Sequence, residues 1–102
     1  MLASPICDAI RRGRLLELEY EGLRRVVAPY CHGRSRAGRE VLRAVQVAGA
    51  SRSGKLGMGK LWLVDKMAGV RVSEQPFAPT DPDYNPDDSA MAEIHCRIER
   101  AA

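Results

Sequence analysis

The sequence predicts a mainly β (α+β) fold, in which a small, strongly bent antiparallel sheet or barrel lies between two short helices. Two observations support this prediction. Five short segments between residues 14 and 77 have the alternating or β-branched pattern of strands, and turn-forming Gly and Pro residues separate them. The chain has 102 residues, which suffices for a single domain that we expect to span 1–102.

The first predicted element is a helix over residues 5–12, within the segment 4–13. Ser4 followed by a proline is typical of a helix start, because the Ser side chain accepts a backbone N–H and proline loses no hydrogen bond there. Gly13 ends the helix. The apolar residues share one face: Ile6, Cys7 and Ile10. So short a helix is unstable alone and must pack on the sheet.

A hairpin follows the helix. Leucines and Tyr20 alternate with glutamates up to residue 21, which predicts a strand with one solvent-facing side. Glu21-Gly22 is then a two-residue turn to a strand over 23–28. This turn pairs Tyr20 with Leu23, Leu18 with Arg25, Leu16 with Val27 and Glu19 with Arg24. Arg25 lies on an otherwise apolar face, where it needs an anion or another acceptor. A longer turn would shift the register.

The rest of the chain divides into strands, loops and a tail. Further strands are predicted at 40–48, 60–64 and 69–73, with a basic loop at 33–39 and a Gly/Ser-rich loop at 49–59. These complete a β region over 14–77, and a Pro- and Asp-rich connector covers 78–88. Apolar residues at 91, 94 and 98 predict a helix over 89–100. A strand is the rival interpretation, because Ile94, Cys96 and Ile98 also alternate.

Charge is distributed unevenly along the chain. Residues 1–72 contain 14 Lys or Arg and 6 Asp or Glu, whereas residues 73–102 contain 2 and 7. One interpretation is that the basic body binds a polyanion such as nucleic acid. The other is that the acidic tail folds back and neutralises the body. Trp62 and Tyr30 could stack on a base, but large aromatic residues are mostly buried, so Trp62 is assigned to the core.

Cysteine usage and hydropathy bear on location. Three cysteines suit a reducing cytoplasm better than a disulfide framework, so we expect a cytoplasmic protein with Cys7 and Cys96 as core residues. No apolar run approaches the ~20 residues of a membrane span, so no membrane association is expected. The first residues also lack the charged region of a secretory signal.

Two motifs suggest chemistry, and neither is complete. The pairs Cys31-His32 and His95-Cys96 suggest a metal site, but neighbouring residues on a strand point to opposite faces, so no metal ligands are predicted. The loop from Gly49 to Leu56 resembles a phosphate-binding P-loop, but Leu56 lacks the hydroxyl that would bind Mg²⁺. No catalytic residues are therefore assigned.

A series of short motifs resembles a known family. In order, these are Tyr20, Arg25-x-Val27-x-Pro29, Gly38, Leu42, Ala44, Trp62-x-Val64-Asp65-Lys66-Met67 and Phe77. Over residues 6–77 this pattern resembles the WYL domain, and the tail resembles that of small standalone bacterial members. The sequence departs from the pattern at several points: the W-Y-L triplet reads Glu40-Val41-Leu42, Lys66 replaces the arginine of its motif, and a long Ser/Gly loop precedes Trp62.

The resemblance implies a fold and a function. The fold is an Sm-like (SH3-like) five-stranded barrel after an N-terminal helix. The function is that of a ligand-sensing module in bacterial regulation, with nucleic acid or a nucleotide held in a basic groove. Arg25 and Lys66 match the basic positions of the family motifs.

We therefore predict a non-enzymatic binding module without a cofactor, whose ligand is single-stranded nucleic acid or a nucleotide. Seven residues are predicted to bind it: Arg25, Arg34, Arg36, Arg39, Arg43, Lys55 and Lys66. The alternative is a protein–protein or oligomerisation module, which pairs with a second copy or a regulatory protein. A nucleic-acid site requires these basic residues to converge on one groove, whereas an oligomer requires apolar residues on an exposed edge strand.

Overall fold

The computed structural model describes residues 4–49, 59–79 and 84–98. Within these ranges one helix precedes six strands. They are α1 (Pro5–Arg12), β1 (Arg14–Tyr20), β2 (Leu23–Ser35), β3 (Glu40–Gly49), β4 (Gly59–Leu63), β5 (Met67–Pro76) and β6 (Met91–Arg97). A 3₁₀ turn, Val64–Lys66, connects β4 to β5. No helix in the described part of the chain is long and apolar enough to cross a membrane.

All six strands belong to one antiparallel sheet in the order β4-β3-β2-β1-β5, with β6 added to β2. β2 is the longest strand and organises the others. One of its edges pairs with β3, and the other pairs first with β1 and then with β6. The mainly β prediction is therefore confirmed.

The predicted closed barrel is not observed. Among the described residues β4 pairs only with β3, and β5 only with β1, so the sheet is bent but open. The Tyr20 hydroxyl lies in the gap and accepts a hydrogen bond from the Leu63 backbone N–H at 3.1 Å. A side chain thus bridges β1 and β4 where a closed barrel would have paired strands.

The predictions for the first helix and hairpin are confirmed. The Ser4 hydroxyl accepts the Ile6 backbone N–H at 3.2 Å, and Gly13 ends α1 with φ 66°. Glu21 and Gly22 both have positive φ, 54° and 76°, as a two-residue turn between twisted strands requires. The register is the one predicted: Leu16 with Val27, Leu18 with Arg25, Glu19 with Arg24 and Tyr20 with Leu23.

Apolar side chains form two clusters on the two faces of the sheet. On one face α1 packs its apolar side against β1, β2, β5 and β6, and Trp62 is buried in the same cluster. On the other face Tyr84 and Met91 cover Tyr30 and Val41. The Tyr84 hydroxyl donates to the Ile98 carbonyl oxygen at 2.6 Å. The tail is therefore part of the core.

The predicted C-terminal helix over 89–100 is wrong, because residues 91–97 form β6. Helical and strand spacing both fitted the apolar residues of this segment. The second half of β2 decides between them, since its free edge offers backbone hydrogen bonds to a strand. That half was itself missed: β2 was expected to end at Ala28 but passes through Pro29, where its register with β3 shifts.

Cys7 and Cys96 are buried in the core, as predicted, but they are not the reduced thiols that a reducing cytoplasm would imply. They form a disulfide between α1 and β6, across 89 positions of sequence. Cys96 reaches α1 because β6 pairs with β2 and places Cys96 opposite His32. The number and spacing of cysteines do not reveal this contact. The cysteine count therefore no longer supports a cytoplasmic location, which remains a prediction.

Cysteine chemistry provides the first test. Cys31 is free and buried, and burial, with the Asp88 charge second, raises the pKa of its thiol to about 11. We expect no thiol to react with an alkylating reagent in native, unreduced protein near neutral pH. One should react after unfolding, and all three after reduction.

Reduction should also lower the free energy of unfolding by about 2–4 kcal/mol, because the disulfide closes a long loop. A urea titration with and without reductant measures this loss. Cys7→Ser is the control, since reductant should not destabilise it further. Equal stability of the wild-type protein in both conditions would contradict the disulfide.

Gly33 provides the second test, because β6 lies directly against its backbone. A Cβ atom at this position would lie 2.1 Å from the Glu93 carbonyl oxygen and 2.8 Å from Met91 Sδ. Gly33→Ala should therefore separate β6 from β2 and lower the free energy of unfolding by more than about 2 kcal/mol. Urea unfolding measures the change.

Gly38→Ala is the matched control for Gly33→Ala. Gly38 has φ 82° but no heavy atom near the added Cβ, so only backbone strain is expected, about 1 kcal/mol. Equal losses of stability in the two variants would show that the close approach of β6 to β2 does not require glycine at position 33.

Candidate functional site

Arg25, the first predicted ligand-binding residue, lies inside the molecule. Its residue surface is only 3% exposed, and its guanidinium carbon lies 5.8 Å from the centre of the Tyr20 ring and 5.6 Å from that of Trp62. The guanidinium donates to Gln46 Oε1 and to the Tyr20 carbonyl oxygen, each at 3.3 Å. Two internal acceptors and two aromatic rings therefore stabilise much of the guanidinium charge that was predicted to bind a ligand.

Arg43 forms an ion pair with a carboxylate. Its guanidinium donates to both oxygens of Asp88, at 2.7 and 3.2 Å, and Asp88 is only 8% exposed. Burial by itself raises the pKa of the Asp88 carboxyl, but hydrogen bonds from Arg43 and from the Ala90 backbone N–H outweigh it. The pKa of Asp88 is therefore lowered overall, and the carboxylate stays charged.

Residues 87–93, here called the acidic segment, also bind two other predicted residues. Arg34 forms an ion pair with Glu93, and Arg36 donates to the Ser89 carbonyl oxygen at 2.8 Å. Because the core residues Tyr84 and Met91 lie at and next to this segment, it is built into the fold. For Arg34 and Arg43 the structure agrees with the interpretation that the tail neutralises the basic body, whereas Arg36 binds only a neutral carbonyl oxygen of the tail among the contacts described for it.

The remaining predicted residues lie near the 3₁₀ turn or beyond the described ranges. Arg39 donates to both oxygens of Asp65, at 3.1 and 3.0 Å. Lys66 is exposed and forms no ion pair with another described residue. Lys55 lies outside the described residues. Six of the seven predicted basic residues lie in the described ranges, and they separate into an internal arginine, three arginines that contact the acidic segment and a pair at the turn.

A test of these assignments is the stability of Arg25→Ala. We expect the free energy of unfolding to fall by about 3 kcal/mol, since buried acceptors lose their donor and a cavity forms between two rings. Urea unfolding measures the loss, with Arg24→Ala as the matched control. Arg24 is exposed and pairs with Glu17 at 2.6 Å, so its removal should cost less than about 1 kcal/mol. A similar small loss in both variants would refute a structural role for Arg25.

One edge of the sheet carries exposed apolar residues. On β3 and β4, respectively, Val47 is 45% exposed and Leu61 39% exposed. Val47 lies beyond the part of β3 that pairs with β4, at a register shift between β3 and β2. Leu61 shares a face with Leu63, which packs against the second apolar cluster, so this apolar surface reaches the β4 edge.

The edge of β5 differs from that of β4. The pairing of β5 with β1 has two register shifts, and the outer half of the strand carries Arg71, Glu74 and Pro76. Charges, irregular register and proline are the features that discourage pairing with another strand. β4 is short but regular, and it carries one charge, on Lys60.

A cluster of His32, Glu40 and His95 was missed by the sequence analysis. The Nε2 atoms of His32 and His95 lie 3.2 and 3.0 Å from Glu40 Oε1. Burial, followed by the neighbouring His95, lowers the pKa of His32, while Glu40 opposes this shift. The two Cys/His pairs were the available signal, but they were considered only as pairs within one strand.

Comparison with protein-family models, with curated proteins and with solved structures finds no match for this chain. The resemblance to the WYL domain therefore remains a prediction.

Proposed function

We propose that this chain is a non-enzymatic binding module that associates with a second copy of itself through β4. The observation that carries this proposal is the regular edge of β4, whose central residue Leu61 has an exposed apolar side chain. It matches the alternative predicted from the sequence. Of the predicted basic residues that the structure describes, Arg25 is buried and three others are paired with carboxylates, so they do not form the single open groove that the nucleic-acid prediction required.

The direction of the β4 backbone supports pairing around Leu61. The Leu63 N–H bonds the Tyr20 hydroxyl, so it points away from β3. Since backbone groups alternate along a strand, the N–H and carbonyl of Leu61 face the same side of β4, where Tyr20 occupies the Leu63 end and no described strand pairs with Leu61. Leu61 is the central residue of β4, so antiparallel pairing of two copies places Leu61 opposite its equivalent. A two-fold contact of this kind is self-complementary and closes at a dimer.

The test is the oligomeric state by analytical ultracentrifugation over a wide range of protein concentration. We expect a reversible monomer–dimer equilibrium, and a weak one, because a single strand pair buries less than the ~1,200 Å² of a stable interface. Leu61→Lys should abolish it, since two ammonium groups would meet at the two-fold axis. A monomer at every concentration would refute the proposal.

Ala68→Lys is the matched control, because it adds the same charge to a different unpaired edge of the sheet, on the exposed part of β5. Under the proposal it leaves the dimer unchanged. Loss of association in Ala68→Lys as well as Leu61→Lys would instead indicate β4–β5 pairing between copies and would overturn the two-fold arrangement.

A second candidate, polyanion binding, is favoured by one observation. Lys66 is exposed without an ion pair to a described residue, and Arg36 binds only a neutral carbonyl oxygen among the contacts described for it. Under this candidate the surface around the 3₁₀ turn takes single-stranded nucleic acid or a nucleotide. The sequence also led us to expect a regulatory role and a cytoplasmic location, and we include both in this second candidate.

Fluorescence anisotropy with a labelled strand of about 12 nucleotides tests this candidate. Affinity should fall steeply between about 50 and 200 mM salt, because counterions are released on binding. Lys66→Gln should weaken binding, whereas Lys60→Gln on β4 serves as the control. Absence of binding at the lower salt concentration would exclude single strands as the ligand.

A further inference from the structure

We propose that His32, Glu40 and His95 form a binding site for a divalent first-row transition ion such as Zn²⁺. The three residues come from β2, β3 and β6, and one ligand atom of each lies within 4.8 Å of the others. The proposal departs from the sequence-based prediction of no metal ligands and is independent of the proposed dimer.

A bulge in β6 brings the two histidines together. His32 pairs with Cys96 and Gly33 with Ile94, so His95 is the extra residue of the bulge and has no partner on β2. In a regular strand His95 and Cys96 would point to opposite faces. At the bulge both approach His32: the two imidazole rings are 5.1 Å apart, and Cys7, bonded to Cys96, lies next to His32.

The distances suit a metal ion. Glu40 Oε1 lies 3.2 Å from His32 Nε2 and 3.0 Å from His95 Nε2, and its second oxygen lies 3.3 Å from His95. Ligands about 2.0–2.1 Å from a tetrahedral Zn²⁺ are separated by about 3.3 Å. Two imidazoles and a carboxylate are a typical ligand set for this class of ion, and a fourth position stays open for water or a ligand.

The unbound arrangement leaves a buried nitrogen unsatisfied. His32 is 7% exposed, and its Nε2 meets no hydrogen-bond partner of good geometry among the described residues, although Glu40 Oε1 lies 3.2 Å away. Buried polar atoms without a partner are uncommon, because each loses its hydration without compensation. A cation between the imidazole and the carboxylate would satisfy the lone pairs that converge here.

The second nitrogen of each ring has its own neighbour. His95 Nδ1 lies 3.7 Å from Glu93 Oε2, and His32 Nδ1 lies 3.7 Å from Cys7 Sγ. Metal-bound histidines commonly direct their other nitrogen to a carboxylate or another acceptor, which fixes the ring. The side chains of Glu40 and His95 are 43% and 31% exposed, so an ion can enter from solvent.

The experiment is a titration of the oxidised protein with Zn²⁺ by calorimetry and with Co²⁺ by visible absorption. We expect one ion per chain. Glu40→Gln and His95→Ala should each lower affinity at least about tenfold. Glu19→Gln, an exposed glutamate on β1, is the matched control and should bind as the wild type does. Urea unfolding verifies that each variant folds. We expect this of the Glu40 and His95 variants, because both side chains are partly exposed.

A thiolate site is the competing outcome, because Cys7, His32 and Cys96 also lie close together. Binding that requires reduction of the disulfide, and that is lost in Cys7→Ser but kept in Glu40→Gln, would overturn the proposal in favour of that site. Absence of binding in the oxidised protein, or equal affinity in Glu40→Gln and Glu19→Gln, would overturn it as well.

Discussion

The pairing of β6 with the second half of β2 is the interaction on which the other features depend. It occurs because β2 extends beyond β1 and leaves backbone groups that need partners. Gly33 permits the close approach, since a side chain there would collide with β6. Once β6 is in place, Cys96 meets Cys7, Glu93 meets Arg34 and His95 meets His32.

The same pairing explains why a basic chain lacks a basic groove among its described residues. The net charge of +3 gives the excess of basic over acidic residues, but it does not show which of them are paired with each other. The acidic segment is anchored at Tyr84 and Met91, so its carboxylates face the arginines permanently rather than as exchangeable counterions. Arg43 and Asp88 are the clearest case, because both oxygens of a nearly buried carboxylate are bound by one guanidinium.

The free edges of the sheet follow from the same topology. β4, β5 and β6 each have one side that pairs with no other strand in the described part of the chain. β5 has irregular register and charged residues, whereas β4 is regular and has Leu61 at its centre. Pairing through β4 alone would join two copies and then close, whereas pairing of β4 with β5 of another copy would continue into an open-ended assembly.

The sequence by itself determined the local elements. The Ser4 cap, the Gly13 stop and the Glu21-Gly22 turn act within a few residues, so α1, the first hairpin and the position of Arg25 on an apolar face could be predicted. Only the tertiary structure decided the tail. Its apolar spacing suited helix and strand equally, and the free edge of β2, more than 50 residues earlier in the chain, selected the strand. The disulfide and the histidine cluster depend on that long-range pairing and on a bulge, neither of which residue spacing encodes.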